Sequence, residues 1–388
     1  MNEKMIINKP EIRSYDGICR LEAEIEFPEA TKTVYFGVPE EYSDGLCDEN
    51  ADAFLAAALL YCMRKGLDIE CRAPVSRPML YWLKERLIKQ LADNCEHYNL
   101  INIEAQPFDK IFDNKGYVGL CWSGGVDSFY SLAANMDAPK GFRPTHLLNI
   151  NAGVYEEPDI AGKFARSSEK TIRDAEYFGL KALNIDTNLH EAFPALYLSV
   201  VGFRLGAALL AVQKSFRMGM ISSSYDLKYM GIDEDNEAYY ALLTQSALSN
   251  RNISLRVPGV EISRVEKLRR LADFPPAHDR LFVCVKEEGR NCCRCGKCVR
   301  VISALDAIGR LEEFGGSFDL SYVYDHIDDI WGEMIHGAKV NVFCAEPVGV
   351  YRRSGRSFSR KALLRAKILD AAQKAAADHE KEIRKNLT

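Results

Sequence analysis

The first third of the chain alternates short apolar and polar stretches with two longer helical patterns. ICRLEAEIEF and KTVYFGV place apolar residues at about every second position, which is typical of antiparallel strands. ADAFLAAALLYCMRKG has the length of a helix and ends at Lys65 and Gly66, a cationic last turn and a terminating glycine. PMLYWLKERLIKQLAD predicts a second helix, and LDIECRA and YNLINIEA predict further strands. We therefore predict an N-terminal mixed α/β domain over residues 1–112.

From residue 113 onwards, buried strands alternate with helices. The predicted strands are YVGLCW, THLLNINA, LKALNIDT and MGMISSS, and the helices between them are DSFYSLAANM, AGKFARSSEKTIRDAEYFG and ALYLSVVGFRLGAALLAVQKSF. This alternation predicts an α/β domain with a doubly wound parallel sheet over residues 113–310, in which ligands bind beyond the carboxyl ends of the strands. SYVYDHIDDIWGEM and RKALLRAKILDAAQKAAADHEKEIRKN predict helices in a C-terminal helical extension, residues 311–388.

Composition and charge narrow the class of protein. Of the 388 residues, 47% are hydrophobic and 27% are charged, so the chain can bury a sizeable core. The formal charge of -5 argues against a protein that binds nucleic acid mainly through bulk electrostatics. The first residues, MNEKMIINKPEIRS, lack the apolar core of a signal peptide, and no apolar run reaches the length of a membrane span. We expect a cytoplasmic protein without a membrane partner.

Two glycines separate the first buried strand of the parallel sheet from its helix, in YVGLCWSGGVDSFYSLAAN. Gly124 and Gly125 allow the backbone to turn sharply and approach a ligand closely. Ser123 and Ser128 add hydroxyl donors, Asp127 can bind a divalent cation, and the N–H groups of the following helix point back at the loop. The loop is not a Walker A motif, since no Lys follows the glycines, and it is not a G-x-G-x-x-G dinucleotide motif. We interpret it as a pyrophosphate cradle.

Five of the 12 cysteines fall within the short segment CVKEEGRNCCRCGKC. Cys284, Cys292, Cys295 and Cys298 have the spacing C-x7-C-x2-C-x2-C, which suits a closed tetrahedral zinc site. Use of Cys293 in place of Cys292 stays open. An iron–sulfur cluster is the rival of zinc, because all-thiolate sites suit both metals. The remaining cysteines are scattered in apolar contexts, as expected for small buried side chains in a reducing compartment.

The hexapeptide S-G-G-x-D-S after a strand resembles the PP-loop of the N-type ATP pyrophosphatases. In that family a substrate oxygen attacks the α-phosphorus of ATP, which yields an adenylated substrate and pyrophosphate. Together with the four cysteines, the loop resembles the 7-cyano-7-deazaguanine synthases, which activate a 7-carboxy-7-deazaguanine carboxylate with ATP, then amidate it and dehydrate it to the nitrile. The resemblance covers residues 116–305. It implies an adenine nucleotide alpha hydrolase-like (HUP-type) fold, an AMP-producing C–N ligase, and ATP, Mg2+ and Zn2+ as cofactors.

The chain also departs from that family. The family's enzymes begin at the loop, whereas here about 115 residues precede it and about 90 follow the last clustered cysteine. Cys293 stands where a Gly usually follows the second metal-binding Cys, and Arg264 stands where the family has a Lys, although Glu266 matches. The strand end SSSYDLKYMGIDED differs from the family's pattern for the substrate. We therefore expect a paralogue in a modification or defence pathway that acts on a small molecule or modified base, for example one of deazaguanine type.

Adenylation needs in-line positioning and neutralisation of phosphate charge. Asp127 is the predicted Mg2+ ligand, and Arg264 and Lys267, one helical turn apart, are the predicted catalytic cations; a solvated helix face explains that pair equally well. Arg204 is unexpected in an apolar helix and is predicted to reach a carboxylate or phosphate, with a buried ion pair as the alternative. The predicted ATP-binding residues are Ser123, Gly124, Gly125, Val126, Asp127, Ser128 and Asn149. The predicted substrate-binding residues are Ser222, Ser224, Asp226 and Arg204, and strand-end turns explain the serines and asparagine about as well.

Partners and alternative functions follow from the same features. No glutaminase cysteine follows Met1, so we expect ammonia or an amine donor, free or delivered by a partner. We also expect a homodimer. Residues 351–368, YRRSGRSFSRKALLRAKI, carry seven cations and no acid, which predicts an anionic partner, with a solvated helix face as the alternative. Two other functions stay open: a tRNA-thiolating PP-loop enzyme with an iron–sulfur cluster, and a non-enzymatic nucleotide-sensing module.

Overall fold

A computed structural model of the chain describes residues 3–154, 159–287 and 289–387, with the backbone only for residues 378–387. The extreme ends of the predicted regions 1–112 and 311–388 therefore lie outside the described residues. The chain divides into two compact units: unit 1 comprises Met1–Ser123 and Ala134–Glu261, and unit 2 comprises Gly124–Ala133 and Ile262–Thr388. These units cut the chain at different points from the predicted domains 1–112, 113–310 and 311–388, and the predicted boundaries stay a prediction.

All the strands found in the described residues belong to unit 1. They are β1 (Lys4–Ile7), β2 (Glu11–Tyr15), β3 (Ile18–Glu26), β4 (Thr31–Pro39), β5 (Asp68–Cys71), β6 (Val75–Ser76), β7 (Ile103–Glu104), β8 (Pro107–Phe108), β9 (Tyr117–Cys121), β10 (His146–Ile150), β11 (Lys181–Thr187), β12 (Phe216–Met220) and β13 (Ser254–Arg256).

The strands form one large, mostly parallel sheet and a small separate pair, β6–β8. Along the large sheet the order is β13-β12-β9-β10-β11-β4-β3-β1-β5-β7, and β2 also pairs with β3. The first five strands are parallel to one another, and β11 joins the N-terminal strands through an antiparallel pairing in which Thr187 lies opposite Phe36. The α/β class and the parallel sheet are thus confirmed. The continuation of that sheet into the N-terminal strands was not predicted, because strand-to-strand pairing over 150 residues leaves no local pattern.

Local sequence explains the strands. β10 is buried at every residue, as expected for a strand covered on both faces, and it consists of the apolar-rich sequence HLLNI. In the N-terminal part, β2 and β3 are joined by Asp16 and Gly17, whose φ angles are 34° and 81°. Asp-Gly in this left-handed conformation is the preferred two-residue hairpin turn.

Helices flank the sheet in unit 1 and make up most of unit 2. Those from the first part of the chain are α1 (Asp52–Lys65), α2 (Arg77–Trp82), a π-helical turn (Leu83–Leu87), α3 (Ile88–Asn94), α4 (Val126–Asn135), α5 (Ile160–Tyr177), α6 (Leu189–Ala192), α7 (Tyr197–Ala211) and α8 (Ala241–Leu248). Those that follow are α9 (Arg264–Ala272), α10 (Pro276–Arg280), α11 (Gly296–Ala307), α12 (Leu320–Asp325), α13 (Ile327–Gly337), α14 (Val342–Arg353) and α15 (Arg360–Leu387). Short 3-10 helices are Glu40–Gly45, Leu227–Tyr229, Glu237–Tyr239 and Leu311–Phe314.

Each unit has its own apolar core. In unit 1 the apolar helices α1 and α7 pack against each other, and Gly66 ends α1 in the left-handed conformation at φ 67°, as predicted. In unit 2, α11 packs on α14 and α13 packs on α15. The segment SYVYDHIDDIWGEM is not one helix as predicted but two, α12 and α13, which meet at His326. Searched over the described residues, no helix combines the length and the apolar character that a membrane crossing needs.

Candidate functional site

The glycine loop follows β9 and leads into α4. Gly124 has a φ of 70°, a conformation that side chains with a Cβ rarely adopt, so glycine is required there. Its carbonyl oxygen accepts a hydrogen bond from the N–H of Phe282 at 2.8 Å. The carbonyl oxygen of Gly125 accepts from the Phe129 N–H at 2.9 Å and from the Ser128 hydroxyl at 3.1 Å. The first N–H groups of α4 thus follow a tightly held turn, which is the arrangement that binds phosphate in other proteins.

Asp127, on the first turn of α4, is the centre of a charged site in unit 2. Its Oδ2 lies 2.6 Å from Nη2 of Arg264, and its Oδ1 lies 3.0 Å from Nζ of Lys267. The Asp127 side chain is 20% exposed, whereas the Lys267 side chain is only 1% exposed. Because α9 begins at Arg264, both cations project from its first turn. The structure therefore brings the three predicted catalytic residues together.

Two further cations belong to the same site. The pKa of Lys297 lies below its ordinary value because the surrounding protein desolvates the ammonium and because Arg264 and Arg300 repel it, although part of the side chain remains exposed. The guanidinium of Arg264 lies 4.0 Å from the ring centroid of Phe343, and that of Arg300 lies 5.7 Å from it. We call Arg264, Lys267, Lys297 and Arg300 the cation cluster. Two of these cations contact Asp127, and Glu346 adds a second carboxylate at the first turn of α9, so the cations outnumber the acids and the site can bind a multiply charged anion.

The sequence interpretation missed the role of this cluster. Lys297 and Arg300 lie three residues apart on α11, a spacing that could have shown that they share a face. Arg294, which precedes α11, binds Glu287 at 2.6 Å and interacts electrostatically with Cys292. Phe343 was missed completely, since no motif marks it.

One hydroxyl group and one carboxylate cap the N-terminus of α9 and so hold its first turn. The Ser263 hydroxyl oxygen accepts a hydrogen bond from the Glu266 N–H at 3.3 Å. Oε2 of Glu346, from α14, accepts one from the Val265 N–H, also at 3.3 Å. Both groups satisfy N–H donors that have no partner inside the helix. Glu346 was not predicted, because it lies 81 residues from Val265.

The four predicted metal-binding cysteines come together in unit 2. The Sγ atoms of Cys284, Cys292, Cys295 and Cys298 all lie within 4.8 Å of one another. Two of these separations are 3.5 Å, from Cys295 to Cys298, and 4.0 Å, from Cys292 to Cys298. A tetrahedral ion with sulfur ligands at about 2.3 Å would hold them about 3.8 Å apart. This cluster of four cysteines could therefore bind a metal ion.

Cys293 lies outside that cluster, so its use in place of Cys292 is not what the structure shows. Its backbone is left-handed, with φ 59°, and its thiol lies 3.5 Å from the carbonyl oxygen of Asn291. A left-handed backbone of this kind is one that glycine adopts most easily.

Hydrogen bonds favour the thiolate form of two of the four cysteines, Cys284 and Cys295. Burial would raise the pKa of the Cys284 thiol, but the N–H groups of Glu287, Cys292 and Lys286 outweigh burial and lower it. Burial opposes ionisation of Cys295 too, yet N–H donors of Cys298 and Val285 lower its pKa to about 6. Burial, and then the nearby Cys295 sulfur, raise the pKa of Cys298. A bound dication would remove this mutual repulsion and allow all four sulfurs to ionise.

Asn291 fixes the segment that carries Cys284. Its Oδ1 accepts hydrogen bonds from the N–H groups of Val283 at 2.9 Å and Cys284 at 3.2 Å. Its Nδ2 donates to the carbonyl oxygens of Leu281 at 2.8 Å and Ser317 at 2.9 Å. A buried amide with four such hydrogen bonds fixes the shape of the loop and so holds Cys284 in position to bind a metal ion.

In unit 1, Asn149 at the end of β10 bonds to helix α5. Its Nδ2 donates to the Ser168 hydroxyl oxygen and its Oδ1 accepts from the Ser167 hydroxyl, both at 3.1 Å. These bonds join strand and helix, so they account for the buried amide structurally. Its predicted contact with ATP stays a prediction.

The predicted substrate residues after β12 include polar atoms without partners. Within the part of the chain that the structure describes, the Ser222 hydroxyl and Oδ1 of Asp226 are buried and have no hydrogen-bond partner. The other oxygen of Asp226 lies 3.0 Å from Nζ of Lys228. Ser224 is half-buried. Buried polar atoms usually have a hydrogen-bond partner, so these two atoms are candidates for contact with a ligand.

Arg204 makes different contacts from those expected. Its Nη1 donates to the carbonyl oxygen of Ala152 at 3.0 Å, and its Nη2 donates to that of Phe193 at 2.8 Å. Burial lowers the pKa of the guanidinium to about 10. Main-chain carbonyls, not an acidic side chain, thus satisfy this cation in the described contacts, and its predicted contact with substrate stays a prediction.

In comparisons with known proteins, no protein-family model, no curated protein and no solved structure matches this chain.

Proposed function

We propose that the protein is an ATP pyrophosphatase-type ligase that adenylates a carboxylate or carbonyl oxygen of its substrate. The observation that carries the proposal is the Asp127 carboxylate held between Arg264 and Lys267. This centre lies directly after a loop whose Gly124 requires φ 70°, at the first turn of a helix. A glycine turn, a helix N-terminus, a carboxylate and a cation cluster are together what a nucleotide's phosphates and Mg2+ need.

The sheet of unit 1 has a topology that by itself supports a ligand site. Strands β11, β10, β9, β12 and β13 lie in the order of a doubly wound sheet, and the order reverses at β9, with β10 and β11 on one side of it and β12 and β13 on the other. In such sheets, ligands bind beyond the carboxyl ends of the strands at the reversal. Ser123 follows β9 and is exposed, and Ser222 follows β12 with a hydroxyl that has no partner among the described residues. We accordingly propose a fold of adenine nucleotide alpha hydrolase type.

The proposed chemistry needs charge neutralisation more than covalent participation by the protein. A substrate oxygen would form a bond to the α-phosphorus while the bond from that phosphorus to the bridging oxygen breaks, and pyrophosphate would leave with the electron pair. Arg264 and Lys267 would neutralise charge on the phosphates as it develops. Ammonia or an amine would then displace AMP from the adenylate and form the C–N bond.

Asp127 can serve as a Mg2+ ligand, on the condition that the ion binds together with the nucleotide. A carboxylate can accept several contacts, and Mg2+ in nucleotide sites commonly uses one or two carboxylates, phosphates and water. Because two cations already neutralise Asp127, we expect Mg2+ to bind together with the nucleotide and not before it. When bound, the ion would add positive charge beside the phosphates.

We propose Zn2+ for the four cysteines. The sulfur separations of 3.5 and 4.0 Å suit one tetrahedral ion, whereas a multi-iron cluster, with sulfides between its irons, would hold the cysteine sulfurs farther apart. This geometry favours amide or nitrile formation over the tRNA-thiolating alternative. Elemental analysis of protein purified without added metal should give one zinc per chain; stoichiometric iron would revive the thiolation hypothesis.

The test of the proposed function is the identity of the nucleotide products. The full-length protein would be incubated with MgATP, ammonium and a panel of carboxylates that includes a deazaguanine carboxylate, and the nucleotides would be separated. We expect AMP and pyrophosphate in equal amounts. ADP as the main product would contradict the proposal, and nucleotide binding without turnover across the panel would favour a sensing module.

We further propose an anionic partner for residues 351–368, with fewer available cations than the sequence suggested. Two of the seven are paired inside unit 2, since Arg356 lies 3.2 Å from Asp306 and Arg365 lies 3.5 Å from Asp329. The exposed cations of the segment are Arg352, Arg353, Arg360, Lys361 and Lys367. Changing these five to Gln should weaken association with the partner, or of a homodimer through an acidic face, in a salt-dependent way. Unchanged association across a salt series would return the segment to a solvated surface.

A further inference from the structure

Helix α14 lies outside residues 116–305, to which the family resemblance applies, yet it contributes two side chains to the Asp127 centre. Phe343 contacts Arg264, and Glu346 contacts the first turn of α9. We propose that α14 is a positioning element of the phosphate-binding site: Phe343 orients the Arg264 guanidinium and Glu346 holds the turn that carries both catalytic cations. This inference rests on the proposed function of that site.

Phe343 provides a flat surface for Arg264. The guanidinium carbon lies 4.0 Å from the ring centroid, well inside the range of a cation–π interaction. Within the described residues, Nε of Arg264 is buried and makes no hydrogen bond, while Nη2 binds Asp127 at 2.6 Å. One end of the guanidinium is therefore set by a hydrogen bond and its plane by the ring. A planar, pre-oriented guanidinium loses less freedom when it binds a phosphate.

Glu346 acts on the backbone. Its carboxylate accepts from the Val265 N–H at 3.3 Å, next to Arg264. An acidic group at a helix N-terminus satisfies an otherwise unpaired donor and interacts favourably with the helix dipole. Because Arg264 and Lys267 both leave this first turn, a loose N-terminus would spread the positions of both cations.

Other residues supply the buried part of α14. Cys344, Pro347 and Val348 are buried, whereas Phe343 and Glu346 are only partly buried and lie three residues apart on the helix. α14 packs against α11 and α13 in the same unit. Variants at 343 and 346 should thus leave the helix docked and test positioning without loss of the fold.

The experiment compares F343L, F343Y and E346Q in the full-length protein. F343L keeps an apolar side chain and removes the ring, F343Y keeps the ring as the matched control, and E346Q keeps an acceptor oxygen without the charge. Pyrophosphate affinity would be measured by calorimetry in Mg2+, with thermal unfolding and zinc content measured for each variant. We expect pyrophosphate to bind about fivefold more weakly to F343L and roughly twofold more weakly to E346Q, with F343Y within a factor of two of wild type.

A second readout is independent of the proposed function. In protein labelled with 15N-arginine, the Arg264 Nε–H resonance should show a ring-current shift that F343L abolishes and F343Y retains. If wild-type protein binds no pyrophosphate or MgATP, the proposed function fails, while this resonance still reports whether Phe343 orients Arg264. Equal pyrophosphate affinity of F343L and wild type, or an Arg264 resonance that F343L does not move, would overturn the inference.

Discussion

Units 1 and 2 bury acidic groups in opposite ways. In unit 2, Asp127 lies between two cations, and four thiols gather where a metal ion fits. In unit 1, Glu237 is 1% exposed and accepts a hydrogen bond from the Gly202 N–H at 3.1 Å, while its other oxygen has no partner among the described residues. Asp52, also fully buried, is bonded to the Ser76 N–H at 2.7 Å, to the Ser76 hydroxyl and to Nδ2 of Asn250.

The two kinds of buried acid differ in their partners: Asp127 is paired with cations, whereas Glu237 and Asp52 are hydrogen-bonded to neutral groups. Burial of an acid among neutral donors favours its protonated form, whereas neighbouring cations stabilise the charge of a carboxylate. Burial raises the pKa of Glu237 to about 7, and burial also raises the pKa of Asp52. A perturbed acid by itself is therefore a poor guide to function in this protein, and compensation by cations is the better one.

The largest expected effect is loss of the metal site in unit 2. C298S removes one of four ligands, and binding of a structural zinc is worth about 10 kcal/mol or more of folding free energy. We expect C298S to lose zinc and to unfold far below the wild-type melting temperature, as measured by circular dichroism and elemental analysis. C293A, outside the ligand cluster, is the control and should keep its zinc. A C298S protein with wild-type zinc content would contradict the assignment of the ligands.

The next largest effect concerns Glu237 of unit 1 and the pH dependence of stability that it is expected to cause. The folded-state pKa of Glu237 is about 7 against an ordinary 4.5, so between these values the folded protein holds a proton that the unfolded chain has released. Stability should therefore fall as pH rises through this window. Relative to E237Q, which cannot titrate, wild type should lose on the order of 3 kcal/mol between pH 4 and pH 8. Urea denaturation at both pH values measures the difference; a constant difference would show that Glu237 is not held neutral.

A smaller effect is expected at Asp127. D127N leaves the buried Lys267 without its carboxylate, so we expect a loss of about 2 kcal/mol in unfolding free energy. The double variant D127N/K267M should recover part of that loss, because the cation is removed as well. D93N, which breaks the exposed Lys89–Asp93 pair, is the control and should change stability by less than about 0.5 kcal/mol. If D127N and D93N have equal stability, the Asp127 centre is not a compensated charge site.

The smallest effect concerns the backbone of the cysteine loop. Cys293 has φ 59°, which Ala tolerates poorly and Gly adopts freely. Both C293G and C293A remove the thiol, so their difference isolates backbone strain. We expect C293G to be about 1 kcal/mol more stable than C293A, with zinc retained in both. The reverse order of melting temperatures would be evidence against a strained backbone at this position.

The parts of the site that the sequence predicts are those set by local pattern. The alternation of strands and helices predicted the parallel sheet, and the spacing of four cysteines over a short segment predicted the ligands. Gly124 could be interpreted because a sharp turn between a strand and a helix requires glycine. Each of these features leaves a pattern that can be found in a short stretch of sequence.

The parts that could not be predicted depend on contacts between distant segments. Phe343 and Glu346 come from a helix about 80 residues after Arg264, and an ordinary amphipathic pattern is all that marks them. The N-terminal strands join the parallel sheet through Gly37 and Asp186, a pairing that no local pattern encodes. Arg204 was expected to reach a carboxylate or phosphate, or to form a buried ion pair, but the main-chain carbonyl oxygens of Ala152 and Phe193 accept its hydrogen bonds.

The Asp127 centre is proposed to bind the phosphates of ATP, and the most direct test is calorimetric titration of MgATP and pyrophosphate into wild-type protein, R264Q and R173Q. R264Q removes a member of the cation cluster, and R173Q removes an exposed cation of unit 1. We expect wild type and R173Q to bind both ligands equally well and R264Q to bind them at least tenfold more weakly. Folded wild-type protein that binds neither ligand, or R264Q with wild-type affinity, would contradict the proposal.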